Sequence, residues 1–472
     1  MLFKSDTIKF GTGGWRAIIG DDFIKANITA LAQAICKELS GDPDGIVIGY
    51  DRRFLSDKAA RWAAEVFAGN GIPVHFIAKI APTPLVMYTV KTRNTKYGMA
   101  VTASHNGGEY NGIKVFTRGG RDADVEVTRV FEKTLHEGVE VKALPFEEGL
   151  KNGLIEIIDP TNDYLDSIIS MINMDAIRNA HLRVILDPMF GVSKTCLQAV
   201  LITARCEVDI INDRHDTLFG GKLPSPSAAT LSKLREMVVD GGYDLGIGTD
   251  GDADRIGIID DKGTFIHPNE ILALLYYYLL KYKHWTGDVV RNMATTHILD
   301  KIAADFGQTC HEVPVGFKYI SGKMEETDAL IGGESSGGLT IRGHIRGKDG
   351  IFASALLAEM ISVTGKKLSE ILAEIYGKYG RCVMSEYDTK FSDAKKAELQ
   401  KTLFEDKQLP EFPCPVSHVS YLDGCKVYFE NGGFIIARFS GTEPLIRIFC
   451  EMPTMEQAEA ASKCLRGFLG LK

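Results

Sequence analysis

Four short segments of the chain bring together residue types with chemistry to offer. Between Tyr97 and Phe116, YGMAVTASHNGGEYNGIKVF sets Ser104 and His105 between two strand-like runs, with Lys114 just beyond. A serine hydroxyl can carry a transferable phosphoryl group when it is exposed, near a cation, and near a group that handles the proton of the incoming alcohol. His105 and Lys114 are the candidates for those neighbouring roles. Taken alone, S-H-N-G reads as a polar turn whose side chains bond their own backbone. Between Tyr243 and Ile258, YDLGIGTDGDADRIGI delivers Asp250, Asp252 and Asp254 at alternate positions, followed by Arg255. Three carboxylates so close repel one another, and a hard divalent cation on oxygen ligands is the ordinary remedy, with Mg²⁺ the expected ion. Counted from Asp250, Arg255 takes the sixth place and Asp261 the twelfth, where a calcium EF-hand needs Gly and Glu, so that loop is excluded. A D-x-D after a strand also suits an aspartyl-phosphate phosphatase, whose nucleophile is one of the carboxylates.

The other two segments are suited to binding. ALIGGESSGGLTI, from Ala329 to Ile341, places Glu334 and Ser336 among glycines after an apolar run, a carboxylate and a hydroxyl that suit vicinal sugar hydroxyls or a plain tight turn. Upstream, Lys318 follows Gly316 and Phe317 on a glycine turn. GFIIARFSGTEPLIRIFCE, from Gly433 to Glu451, joins two strand-like runs through Ser440, Gly441, Thr442, Glu443 and Pro444, with Arg438 and Arg447 flanking. Loop amides, hydroxyls and guanidinium forks make a phosphate cradle; a hairpin loop with incidental arginines is the plainer reading. Near the start, FGTGGWRAIIG puts Arg16 beside glycines, but no strand precedes it and G-x-G-x-x-G is not met, so it is no dinucleotide fingerprint.

Elements that position these residues are legible as strand, loop and helix in repetition. GIVIGYDRR (strand near Ile46 to Asp51), LRVILDPMFG (near Val184 to Asp187) and DVVRNMATTH (near Val289 to Thr295) each run from β-branched residues into a polar or glycine-bearing loop. A helical pattern follows each, as in Ser56 to Ala68 with Ser56 as the expected N-cap. The repeats lie a hundred residues or more apart, which implies three related α/β domains, not a solenoid. After Ser392 to Phe404, a helical stretch, come a Pro-rich break at Leu409 to Pro415, two strand-like runs and a terminal helix, which imply an α+β domain. The expected divisions are 1–154, 155–261, 262–375 and 376–472. With 62 Asp plus Glu against 54 Lys plus Arg, the net charge of −8 argues against a broad nucleic-acid or anionic-membrane surface. Nine scattered cysteines without C-x-x-C suggest neither disulfide framework nor zinc site. No signal peptide is legible, and the most apolar run, Ile271 to Leu280, is half the length of a membrane span, so a buried helix and a cytoplasmic setting are expected.

TASHN, DGDADR, GESSG and RFSGTEP, in this order over essentially the whole chain, resemble the α-D-phosphohexomutase family, the phosphoglucomutases and phosphomannomutases. The resemblance implies four domains in a heart shape around a central cleft, three related α/β units and a C-terminal α+β domain that closes on substrate. It implies an isomerase in which Ser104 is the phosphoserine, its phosphate oxygen joining Asp250, Asp252 and Asp254 around Mg²⁺. Lys114 and His105 are then general acid/base groups, and Arg255 and Arg16 hold the phosphoserine. Glu334 and Ser336 take sugar hydroxyls O3 and O4. Arg438, Ser440, Gly441 and Thr442 hold the non-reacting phosphate, with Arg447 beside them and Lys318 reaching into the same cleft. Glucose 1,6-bisphosphate is the implied intermediate and activator, a hexose phosphate the only implied partner apart from a second copy, as monomer or homodimer. Two departures from the family pattern stand out: Gly107 where many relatives have proline, which should loosen the loop, and Gly338 where relatives using both mannose and glucose phosphates have histidine. His344 is a nearby imidazole, expected to be solvated. The missing histidine favours glucose, so phosphoglucomutase is the expected activity. Phosphomannomutase or a dual enzyme is the close alternative, ahead of phosphoglucosamine mutase or a sugar phosphatase.

Overall fold

The computed structural model describes residues 2–11, 13–440 and 445–471. The chain forms two compact units, one of residues 1–271 with 336–369, the other of 272–335 with 370–472. Among the described residues no helix is long and apolar enough to cross a membrane. Ile271 to Leu280 is, as expected, a buried helical run, inside the helix Pro268–Lys281.

The first unit holds two sheets. In the first, Ile46–Tyr50 has parallel neighbours on both sides, Val74–Ile77 and Tyr97–Val101. Its continuous apolar run suits a strand covered on both faces by helices. Tyr110–Thr117 turns back antiparallel beside Tyr97–Val101, and Trp15–Ile18 adds an antiparallel edge. On the opposite edge Ile155–Ile158 pairs with Val74–Ile77, so the sheet runs past the division expected at 154. In the second sheet Arg183–Asp187 is again flanked in parallel, by Leu245–Thr249 and Glu207–Ile210. Leu245–Thr249 and Ile256–Ile259 form an antiparallel hairpin whose tip is 250–255, and Phe265–Ile266 extends this sheet past the division expected at 261.

One local expectation fails in an instructive way. Leu55, with φ of 66°, takes the N-cap of the helix Ser56–Gly69, and Ser56 is its first residue. The Ser56 hydroxyl is not free to cap, because it donates to Asp51 Oδ1 at 2.8 Å and accepts from Asn111 Nδ2 at 2.9 Å.

In the second unit Val289–Asn292 lies between Cys310–Val313 and Ile331–Gly333, parallel to both. The three repeated segments seen in the sequence are thus each a strand flanked in parallel on both sides. The C-terminal sheet is antiparallel, in the order Val383–Lys390, Leu445–Met452, Phe434–Phe439, Cys425–Phe429, Val416–Ser420. The helix Asp393–Gln400 continues as a π turn to Glu405, and Thr454 caps the last helix, Met455–Phe468. The two sheets of this unit are joined by buried charge. Glu312 accepts from Arg291 Nη1 at 2.5 Å, Lys426 Nζ at 2.6 Å and the Tyr428 hydroxyl at 2.5 Å. Burial would raise the Glu312 carboxyl, but Arg291 and Lys426 outweigh it and hold it down at about 2.

Candidate active site

Ser104 occupies the loop between the antiparallel strands Tyr97–Val101 and Tyr110–Thr117, in the left-handed region with φ of 53°. Its amide donates to Thr102 Oγ1 at 2.9 Å, and its hydroxyl donates to Asp250 Oδ2 at 2.8 Å. His105 Nδ1 stands 3.4 Å from the same hydroxyl oxygen. The exposure expected of Ser104 is not found: it is 0% exposed, because the Asp250 carboxylate closes over it. The Gly107 carbonyl accepts from Arg53 Nη1 at 2.7 Å.

The hairpin tip supplies the acidic group. One oxygen from each of Asp250, Asp252 and Asp254 lies within 4.8 Å of the others, and all three residues are buried. Burial and the charges of Asp254 and Asp252 push Asp250 well up, whereas Lys114 leads the cations that hold Asp254 well down against the cost of burial. Lys114 Nζ spans Asp252 Oδ2 and Asp254 Oδ2, each at 2.6 Å. Burial alone would favour its neutral amine; the two aspartates overcome that and keep it an ammonium. Among the described residues nothing donates a hydrogen bond to Asp252 Oδ1 or Asp254 Oδ1. Buried oxygens left over after a lysine has been satisfied, on three clustered carboxylates, fit a hard divalent cation such as Mg²⁺.

Basic groups surround the serine. Arg255 above all, then burial and Arg16, hold His105 well below its usual value, so its imidazole is neutral. Arg16 Nη1 donates to Asn106 Oδ1 at 2.7 Å. The amide of Ile256, next to Arg255, donates to Gly337 O at 3.2 Å, which fastens Gly337 to the end of the acidic tip. Ser336 is exposed beside it.

Two groups beside the acidic tip escaped sequence reasoning. The Thr83 hydroxyl donates to Asp252 Oδ2 at 2.6 Å, from the start of the helix Thr83–Arg93. Pro84 in its first turn is a sequence signal for a helix start, but nothing in the sequence links that helix to Asp252. Lys348 Nζ lies 3.1 Å from Asp254 Oδ2. A Cβ on Gly338 would stand 2.2 Å from Lys348 Cδ, so the lysine stem fills the space of the missing side chain. Similarly, a Cβ on Gly251 would stand 2.5 Å from the Ser104 carbonyl oxygen, so the serine loop and the acidic tip meet backbone to backbone. His344 is buried, not solvated: its Nε2 is 2.6 Å from Asp349 Oδ2, which also accepts from the Tyr164 hydroxyl at 2.7 Å. Asp349 in this network caps the helix Gly350–Thr364, and His344 Nδ1 has no hydrogen-bond partner among the described residues.

The remaining candidates lie in the second unit. Glu334 Oε2 accepts from Asn292 Nδ2 at 3.4 Å. Lys318 is in the first turn of Phe317–Thr327, after Gly316 with φ of 132°. Arg438 and Arg447 are directly opposite on Phe434–Phe439 and Leu445–Met452. Arg438 Nε donates to Asp423 Oδ2 at 2.9 Å, and Arg447 Nε is 3.7 Å from Asp388 Oδ1. The Ser440 amide donates to Leu445 O at 2.9 Å, closing the hairpin. Gly441 and Thr442 lie outside the described residues.

Family models described as phosphoglucomutase/phosphomannomutase α/β/α domains I, II and III match residues 7–142, 162–263 and 267–379. The chain belongs to the α-D-phosphohexomutase family. Members of this family are isomerases that transfer phosphate intramolecularly, and this phosphohexomutase has the three α/β/α domains followed by a β-rich one. It is 30% identical to a phosphoglucomutase/phosphomannomutase of Thermococcus kodakarensis over 95% of each chain. It is 28% identical to a "probable phosphoglucosamine mutase" of Methanothermobacter thermautotrophicus, over 98% of this chain and 97% of the relative. A solved structure from Thermus thermophilus, provisionally named a phosphomannomutase, superposes with a TM-score of 0.87 at 28% identity, covering 99% of this chain and all of the other.

Proposed function

We propose that this phosphohexomutase is a phosphoglucomutase, interconverting α-D-glucose 1-phosphate and glucose 6-phosphate through phosphorylated Ser104 and glucose 1,6-bisphosphate. The observation that carries the reading is the Ser104 hydroxyl, 2.8 Å from one carboxylate of a buried triad whose other two are bridged by Lys114. In the forward step the bond from phosphorus to Ser104 Oγ breaks as one to the free sugar hydroxyl forms, and that hydroxyl loses its proton. The bisphosphate turns over, and its other phosphoryl group returns to Ser104. His105, neutral and next to Ser104 Oγ, is placed to take the hydroxyl proton. The Lys114 and Lys348 ammoniums, with Arg16 and Arg255, counter the charge spread over the transferring oxygens. Asp250, Asp252, Asp254 and the phosphorylated Ser104 would hold Mg²⁺, which when bound supplies further charge neutralisation. Arg438, Ser440, Gly441, Thr442 and Arg447 grip the phosphate that does not react, Lys318 reaches toward it, and Glu334 and Ser336 take the sugar hydroxyls.

The preference for glucose rests on Gly338. The Lys348 stem fills the space where a histidine side chain would start, and its Nζ is turned to Asp254 Oδ2 at 3.1 Å, so no imidazole stands at this position. The competing substrates are mannose and glucosamine phosphates, since relatives at 28–30% identity carry those names. The test is glucose 6-phosphate formation from glucose 1-phosphate with Mg²⁺ and a trace of the bisphosphate, and kcat/KM on the three hexose 1-phosphates. Stoichiometric release of free phosphate overturns the mutase reading, and full activity in Ser104→Ala overturns the role of that serine.

A further inference from the structure

Arg53 is a buried cation that the reaction outlined above leaves unused. It is 3% exposed and lies under the serine loop, 51 residues before Ser104. Nη2 donates to the carbonyls of Ser104 at 2.7 Å and Asn106 at 2.6 Å, and Nη1 to those of Gly107 at 2.7 Å and Tyr110 at 3.0 Å. Nε faces Asp51 Oδ2 at 3.4 Å, and the Phe219 ring covers the guanidinium at 4.7 Å. Asp51 is itself fixed, accepting from the Arg53 amide and the hydroxyls of Ser56 and Thr102. Thr102 Oγ1 in turn accepts from the Ser104 amide. Both backbone polar groups of Ser104 are therefore tied to the Asp51–Arg53 pair, one directly and one through Thr102.

The physical need is visible in the backbone. Ser104 sits at positive φ, a conformation that costs a non-glycine residue energy and persists only where its surroundings over-determine it. A planar guanidinium with five N–H groups can take four carbonyls and a carboxylate at once; a lysine ammonium has three donors and cannot. We propose that Arg53 is a positioning residue for phosphoryl transfer: by gathering four carbonyls of the serine loop it holds Ser104 Oγ in line with Asp250. The proposal rests on Ser104 being the phosphoryl carrier, and that is checked first. Wild-type enzyme is treated with glucose 1,6-bisphosphate labelled in its phosphates, and the label is mapped; its absence from Ser104 overturns the carrier reading, whatever Arg53 does.

Arg53→Lys keeps the charge opposite Asp51 but leaves at least one carbonyl without its donor. It is expected to lower kcat by about 10- to 100-fold, with KM within about threefold and Tm close to wild type. Single-turnover transfer from phosphorylated enzyme to glucose 1-phosphate should slow by the same factor. Arg53→Gly should regain part of its kcat when guanidinium ion is added, which a general loss of folding would not. Arg52→Lys, whose guanidinium donates to Asp213 O at 2.9 Å, is the control and should be unchanged. Wild-type kcat in Arg53→Lys overturns the proposal, as does a loss that merely follows Tm with no response of Arg53→Gly to guanidinium. If Arg53→Gly does not fold, the kinetics of Arg53→Lys decide alone.

Discussion

Gly251→Ala tests whether the meeting of the serine loop with the acidic tip sets the rate. The new methyl carbon would stand 2.5 Å from the Ser104 carbonyl oxygen. Carbon and carbonyl oxygen approach to about 3.3 Å in favourable C–H···O contacts, so roughly 0.8 Å must be found. The carbonyl resists, because Arg53 Nη2 holds it at 2.7 Å, and the tip is held from outside by the Val192 amide on Gly251 O at 3.2 Å and the Thr83 amide on Asp252 O at 3.0 Å. Overpacking of this size costs about 1–3 kcal/mol of stability. Displacing a reacting atom by about 1 Å costs on the order of 10²-fold in rate. The expected outcome is a kcat lower by about 30- to 100-fold in a dehydrogenase-linked assay for glucose 6-phosphate, with KM little changed. The substrate grips assigned to the second unit are untouched by this substitution. If Gly251→Ala keeps kcat within twofold of wild type, the close approach does not limit transfer and the reasoning fails.

Other outcomes follow from the same geometry. Lys114→Met leaves Asp252 and Asp254 without the ammonium 2.6 Å from each, so Tm should fall by the equivalent of about 3–5 kcal/mol in EDTA. Saturating Mg²⁺ should recover about 2.7 kcal/mol or more at a hundred times Kd, as differential scanning calorimetry would read. Gly338→His should expel the Lys348 stem and break its 3.1 Å contact with Asp254; the ratio of kcat/KM for mannose to glucose 1-phosphate should rise while glucose activity falls. Glu312 has a folded value near 2, below the ordinary carboxylate range. It contributes about 3 kcal/mol above pH 5, and that is lost as pH falls from about 4.5 toward 2. Urea unfolding of Glu312→Gln should show a lower stability than wild type at pH 6, and the gap should narrow by pH 3.

What could be foreseen in the sequence had its chemistry written in contiguous residues. Ser104 with His105, and Asp250, Asp252 and Asp254 at alternate positions, stand out because one tight loop places each group. Lys114 could be marked as a neighbour of Ser104, yet its bridging of Asp252 and Asp254 depends on a pairing of loops 138 and 140 residues apart. Arg53 binds backbone carbonyls, which every residue possesses, so its targets leave no mark on the sequence. Lys348 is signalled only by an absence, the missing side chain of Gly338. Exposure misled twice: Ser104 and His344 are polar loop residues that other elements cover. In the C-terminal sheet the two runs foreseen are Phe434–Phe439 and Leu445–Met452; Val383–Lys390 and Val416–Ser420 went unseen as partly exposed edges, and Cys425–Phe429, though interior, as a short run.

The contact between Ser104 and Asp250 spans 146 residues of chain. On a ribosome adding 5–20 residues per second, the serine is made about 7–30 s before its acceptor. Arg53 and Asp51 precede it, so the loop can be shaped early, but the carboxylates and then Lys348 arrive later. On the proposed reading of Ser104 as phosphoryl carrier, a nascent chain carries that hydroxyl before Asp250 and Lys348 exist to flank it, and the first unit is complete only once the segment 336–369 has joined it.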